Sequence, residues 1–180
     1  AVDLLLPAHR DQVGESPVWS PAEQALYWVD IEGRQLHRWT HADQRVQSWP
    51  TEERPACIAV HAAGGLIAGM DTGVFHLQPQ ADGTLIATLL AGVEHPEPGM
   101  RFNDGRCDRQ GRFWAGTMVR DMSLARPAGS LYCMDAQRGL SAPQVAGLVT
   151  QNGLGFSPDG KTMYLSDSHP SVQQIWQLPL

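Results

Sequence analysis

Glu15, Asn103 and Asn152 each carry a side-chain oxygen, and each stands four positions ahead of a residue (Trp19, Cys107, Phe156) that opens a turn-and-strand unit. The units read SPAEQALYWVD, DRQGRFWAG and SPDGKTMYLSD in turn. A fourth copy, Ala56 to Val60 followed by HAAGGLIAG, has the same shape with alanine in the polar slot. Equivalent positions of repeats set round an axis face one point, so oxygens far apart in sequence can converge. A convergent set of oxygens suits a hard divalent cation, Ca2+ first, with Zn2+, Mn2+ or Mg2+ as alternatives. Taken singly, asparagine before Gly or Asp-Gly is an ordinary turn residue, and a loop glutamate is an ordinary solvated acid. Their common register sets Glu15 and Asn152 apart as ligands and Asn103 as a ligand or a substrate donor.

The elements that must hold these residues are strands. Segments such as Ala25–Asp30, Gln35–Trp39, Gly73–Leu77, Arg112–Gly116 and Thr162–Ser166 are short, aromatic or aliphatic, and bounded by turn formers. Helical spacing is scarce, and Gly or Pro interrupts most candidate windows. Ser157-Pro-Asp-Gly160 is a good hairpin connection. The anchors Glu15, Ala56, Asn103 and Asn152 lie 41, 47 and 49 residues apart. A period of roughly 40–50 residues made of four short strands is that of a propeller blade. The expectation is an all-β chain, a β-propeller of four-stranded blades near 14–50, 56–90, 103–149 and 152–180. The first strand of each blade lines the channel. Leu89 to Met100 reads as a connection between blades, and Asp121 to Gly129 as a loop within the third. The last blade stops after its third strand, so either Val2 to Leu6 close the ring or the chain is part of something larger.

Composition narrows the function classes. A hydrophobic content of 42% argues against disorder, and 18 glycines with 13 prolines imply many turns. A formal charge of −6, without any Lys/Arg-rich run, disfavours nucleic acid. No apolar stretch approaches the roughly 20 residues that span a bilayer, and AVDLLLPAHR lacks the basic start of a signal peptide. Cys57, Cys107 and Cys133 show no CxxC spacing and read as buried reduced thiols, hence a cytoplasmic expectation. His37 and His41, four apart in a strand-and-turn context, do not share a face and make no zinc pair. Asp30 and Asp167, each three residues after a strand tyrosine, are expected to satisfy backbone groups at strand ends. There is no GxSxG elbow, P-loop or GxGxxG.

GESPVWSPAEQALYWVDIEGRQLHRW, RFNDGRCDRQGRFWAGTM, GSLYCMD and QNGLGFSPDGKTMYLSDS resemble, in order and spacing, the senescence-marker-protein (regucalcin)/gluconolactonase/luciferin-regenerating-enzyme-like family. That resemblance implies a six-bladed propeller on the order of 290 residues, of which residues 1–180 would be the N-terminal two thirds. It implies a divalent metal held by Glu15, Asn152 and an aspartate from a later blade beyond Leu180, so the catalytic residue is left unassigned. It implies substrate contacts from Arg101, Asn103 and Asp104, with Asp121 as the nearest candidate for a lid acid. The activity implied is metal-dependent hydrolysis of a sugar lactone, impaired in this chain by the absent aspartate. A non-catalytic calcium-binding regulator or propeller scaffold is the alternative, and phosphotriester hydrolysis a narrower one. An incomplete ring would also leave the strand at Gln174–Leu178 open to self-association.

Overall fold

Short runs of aromatic and β-branched residues between turn formers become strands in four antiparallel sheets, each built from consecutive strands. The structure is a computed structural model and describes residues 2–180. The first sheet holds β1 (Gly14–Ser20), β2 (Ala25–Asp30), β3 (Gln35–Thr40) and β4 (Arg45–Pro50). The second holds β5 (Cys57–Val60), β6 (Leu66–Gly69), β7 (Gly73–Pro79) and β8 (Leu85–Gly92). In the third, β9 (Met100–Cys107), β10 (Phe113–Val119) and β11 (Gly129–Asp135) are followed by an outer strand in two pieces. These pieces, β12 (Gly139–Leu140) and β13 (Val145–Leu148), both pair with β11. The fourth sheet has three strands, β14 (Gln151–Phe156), β15 (Thr162–Asp167) and β16 (Gln174–Pro179). The inner strands β1, β5, β9 and β14 neighbour one another in that order, the arrangement of propeller blades round a channel.

The core lies between adjacent blades. Tyr27, Val29, Leu36, Ile58, Leu66, Phe102 and Tyr132 belong to one cluster spanning the first three sheets. Trp114, Leu131, Leu148, Leu154, Met163 and Leu165 form a second between the third and fourth. Val2–Leu6 forms no strand and does not complete the fourth sheet. Strand β8 continues to Gly92, so the connection expected from Leu89 starts only at Val93. Ile86, Leu89 and Leu90 are exposed on this outer strand, and a strand without a buried face shows no alternation to read. Among the described residues no helix is long and apolar enough to cross a membrane. Cys57, Cys107 and Cys133 are free, and burial pushes the Cys133 thiol up to about 11.

Buried carboxylates hold the strand ends. Asp30 accepts hydrogen bonds from the N–H groups of Gln12 and Val13, both at 2.9 Å, and Gly33 at 3.0 Å. Asp167 does the same for Val149 at 2.7 Å and Thr150 at 2.9 Å. Each thus ties down the segment that leads into its blade's inner strand, the structural role expected of the pair. Asp108 organises the β9–β10 hairpin, accepting from Arg112 Nε at 2.6 Å, Trp114 Nε1 at 2.8 Å and the Gln110 N–H at 2.9 Å. Desolvation pulls its pKa up, but the bonds from Trp114 and Arg112 outweigh it and leave the carboxyl below its ordinary value. A depressed folded pKa means the stabilisation is complete above the unfolded value, about 3.9, and disappears as pH falls through the folded one. Acid titration of stability should therefore show a steeper loss below about pH 4 in wild type than in Asp108→Asn. Equal slopes for the two proteins would count against this role.

Candidate functional site

The geometry of the inner strands is set by bulges. In β1, Ser16 and Pro17 together oppose the single residue between Tyr27 and Val29, and the pairing shifts between Glu15 and Val18. In β14 the shift falls between Asn152 and Gly155, with Gly153 and Leu154 in the bulge. In β9 the bulged residues are Asn103 and Asp104, opposite Gly116. A bulge bends the strand and re-aims the side chains beside it. Counted from the bulge, Glu15 and Asn152 are equivalent, the last ladder residues before it. The residue in that place in β9 is Phe102, and Asn103 is instead the counterpart of Ser16 and Gly153.

This offset accompanies a change in which side chains line the central cavity. A cavity of about 530 Å3 runs along the four inner strands and is lined by Glu15, Asp104 and Asn152, with Trp19, Ile58 and Val60 among its apolar walls. Glu15 is exposed to it, and no hydrogen bond or ion pair engages its carboxylate among the described residues. Asn152 is half-buried; its Oδ1 accepts from the Gly153 N–H at 3.1 Å and its Nδ2 reaches Ser168 Oγ at 3.3 Å. Asp104 Oδ1 accepts from the Gly105 N–H at 2.9 Å, while Oδ2 has a long contact of 3.4 Å with the Leu154 N–H. Two carboxylates and one amide oxygen therefore share the cavity. Beneath them Gly105 lets β9 approach β5, for a Cβ there would stand 2.7 Å from Cys57 Sγ. Burial pushes the Cys57 thiol well up, and the nearby Asp104 charge adds to the shift, so it stays protonated.

Asn103 does not line this cavity. Its Nδ2 donates to the Gln151 carbonyl at 2.6 Å and its Oδ1 accepts from Arg101 Nη1 at 2.9 Å. It thus joins the third blade to the fourth, as Ser16 joins the first to the second by accepting from the Ile58 N–H at 2.9 Å. The bulge's first residue makes the inter-blade link in both cases. Arg101 is buried, with Nη1 also on the Phe102 carbonyl at 2.7 Å. Desolvation lowers its pKa, against the opposing pull of Glu32 and Asp71. Those acids also hold Arg54, at 3.0 Å from Glu32 and 3.3 Å from Asp71. Asp121 is exposed, caps the short 3-10 turn Met122–Leu124 through the Ser123 N–H, and lines a separate cavity of about 390 Å3 with Glu32 and Arg120. The structure therefore brings Glu15, Asn152 and Asp104 together and leaves Arg101, Asn103 and Asp121 outside that cavity.

The residues from 13 to 180 match the family model described as the SMP-30/Gluconolactonase/LRE-like region. The chain is 38% identical over 170 residues to a 6-deoxy-6-sulfogluconolactonase of Pseudomonas putida, covering 93% of this chain and 55% of that protein. It is 37% identical over 167 residues to an L-arabinolactonase of Azospirillum brasilense, covering 91% of this chain and 54% of the relative. It thus spans about half the length of these relatives. A solved structure of a calcium-binding protein, regucalcin, from Agrobacterium tumefaciens superimposes with a TM-score of 0.85 at 31% identity, covering 97% of this chain and 56% of that one.

Proposed function

We propose, from the premise that this chain belongs to the SMP-30/gluconolactonase/LRE-like family, that its channel cavity binds a divalent cation and that the whole protein hydrolyses a sugar lactone. The observation that carries this reading is that Glu15 and Asn152, matched across two bulges, line one cavity with Asp104. The names of two relatives, both lactonases, support the substrate class.

The donor set fits a cation. Glu15 offers an unengaged carboxylate, Asn152 an amide oxygen, and Asp104 a second carboxylate, all oxygens suited to Ca2+ before Zn2+, Mn2+ or Mg2+. Such an ion, when bound, supplies a Lewis acid for the ester carbonyl. The protein's own groups do the rest. Asp104 Oδ2, held by a single long contact, is free to accept a hydrogen bond from a sugar hydroxyl or from water. Arg101 and Asn103 fix the relation between the third and fourth inner strands and so the spacing of Asp104 and Asn152. Substrate contact by Arg101 and Asn103 requires that those bonds be exchanged for bonds to sugar hydroxyls. Asp121, on the neighbouring cavity with Arg120, would meet a substrate approaching from that side.

We further propose that the 180 residues alone bind the ion weakly, because Glu15, Asn152 and Asp104 are few donors for an ion such as Ca2+, which takes about 6–8 oxygens. Chelation tests the main reading. Lactone hydrolysis by the natural-length protein, followed by acid release, should stop on EDTA treatment and return on adding back Ca2+ or another of the four ions. Turnover that survives complete chelation would sink it. Calorimetric ion binding without turnover of any sugar lactone would favour the calcium-binding regulator, a reading supported by the name of the Agrobacterium protein.

A further inference from the structure

We propose that His9, Asp11 and His37 form a transition-metal site on the first blade, separate from the channel, of the class that takes Zn2+. His9 Nε2 lies 2.8 Å and His37 Nε2 3.2 Å from the same oxygen, Asp11 Oδ1. One ligand atom from each residue falls within 4.8 Å of the other two. A tetrahedral zinc ion with bonds of about 2.0–2.1 Å places its ligands roughly 3.3 Å apart. The ring nitrogens are thus close to ligand spacing already, and two imidazoles with one carboxylate are a borderline donor set that prefers Zn2+ to Ca2+.

The orientation of each group is fixed from behind. His37 pairs across the sheet with Trp28 on one side and Ser48 on the other, so the three side chains stand in one row on one face. Ser48 Oγ is 2.7 Å from His37 Nδ1, which locks the ring with Nε2 toward Asp11. Trp28 Nε1 donates to Asp11 Oδ2 at 2.9 Å and leaves Oδ1 facing the imidazoles. Such partners behind the ligands are the usual supports of a metal site. His9 and Asp11 arrive from the segment before β1, anchored by the bonds from Gln12 and Val13 to Asp30.

An orphaned atom supplies the independent observation. His37 is 5% exposed, and its buried Nε2 makes no well-aligned hydrogen bond among the described residues, for its 3.2 Å contact with Asp11 Oδ1 lacks hydrogen-bond geometry. A buried nitrogen left without a partner is costly, and a metal bond removes the cost. A cavity of about 340 Å3 lined by Leu5, His9, Asp11, Trp28 and residues of Glu15's strand, Glu15 included, provides an entry path. His41 takes no part: its ring packs edge-on to Trp39 at 5.6 Å. The histidine pair that sequence spacing brings to mind is therefore replaced by one drawn from the N-terminal segment.

The test is titration of the chain carrying Glu15→Gln with Zn2+ alone, and with Co2+ for its visible absorption. The Glu15→Gln background removes the proposed channel ligand, which also borders the cavity beside His9, so the assignment rests on the further loss of Zn2+ when His9 or His37 is replaced, read without any lactone. We expect one Zn2+ per chain, a raised melting temperature with Zn2+, and a Co2+ spectrum of four-coordinate nitrogen and oxygen ligation. Adding His9→Gln, at a partly exposed position, should weaken Zn2+ binding by roughly 10- to 100-fold or more, as should His37→Gln. No Zn2+ binding in the Glu15→Gln chain would overturn the proposal. So would affinity that survives His9→Gln unchanged, which would mean that the three groups are only a hydrogen-bonded cluster.

Discussion

Glu15→Gln in the natural-length protein is expected to lower divalent-cation affinity and lactone turnover together, by on the order of 100-fold or more, with the melting temperature nearly unchanged. The combination follows from the environment of the side chain. Glu15 is exposed and its carboxylate makes no hydrogen bond among the described residues, so no such contact is lost with its charge. Glutamine keeps the length and one oxygen and removes the charge that compensates a dication. Asn152→Ala lacks this clean separation, because Asn152 also bonds the Gly153 N–H and Ser168. Calorimetric metal titration beside a turnover assay makes the measurement. Unaltered turnover in Glu15→Gln would remove the channel cavity from the mechanism.

The largest stability effect is expected from Asp30→Ala, at about 3–5 kcal/mol, measured by urea denaturation. The carboxylate is 6% exposed and serves three backbone donors, those of Gln12, Val13 and Gly33. Deleting it strands three N–H groups at once, each costing about 1–3 kcal/mol when left unpaired and buried. Partial access of water to the vacated space keeps the total below the sum. Asp30→Asn should recover only part of the loss, because an amide offers one oxygen where the carboxylate offered two. A loss under about 1 kcal/mol for Asp30→Ala would mean that these donors find water freely. Because Gln12 and Val13 are released by this change, the His9–Asp11 segment should loosen with them and weaken any Zn2+ binding there.

The hairpins were legible because their turn chemistry is local. Ser157-Pro-Asp-Gly160 closes as its residue types dictate, with the Gly160 N–H on the Ser157 carbonyl at 2.9 Å and Gly160 at φ +70°. The backbone role of Asp30 and Asp167 was legible too, from their place after the strand tyrosines. Bulge position was not. Counting from the hairpin aligns Asn103 with Glu15, yet the bulge in β9 sits one residue further from its hairpin than those in β1 and β14. Ser-Pro, Asn-Asp and Gly-Leu share no signature that would announce it. That single step turns Asn103 into an inter-blade tie and gives its expected place in the cavity to Asp104. The His9 cluster was invisible for another reason. Its members come from an irregular lead segment and a strand 26 or more residues later, brought together by the Asp30 anchor and the Trp28 bond to Asp11.

The strictly consecutive pairing within each sheet has a kinetic consequence. Every strand in these four blades finds its hydrogen-bonded partners among near neighbours in sequence, so no sheet waits for a distant segment. Closing short loops carries little entropic cost, and topologies rich in such contacts fold quickly. The ties that reach across to the next blade are few and longer in sequence, among them those of Ser16, Asn103 and Asp104, 42, 48 and 50 residues ahead, and that of Trp49 to the Gln80 carbonyl, 31 ahead. During synthesis each blade can therefore form as it leaves the ribosome and dock on the one before it, the inner strand of the newcomer completing a bond its predecessor already presents.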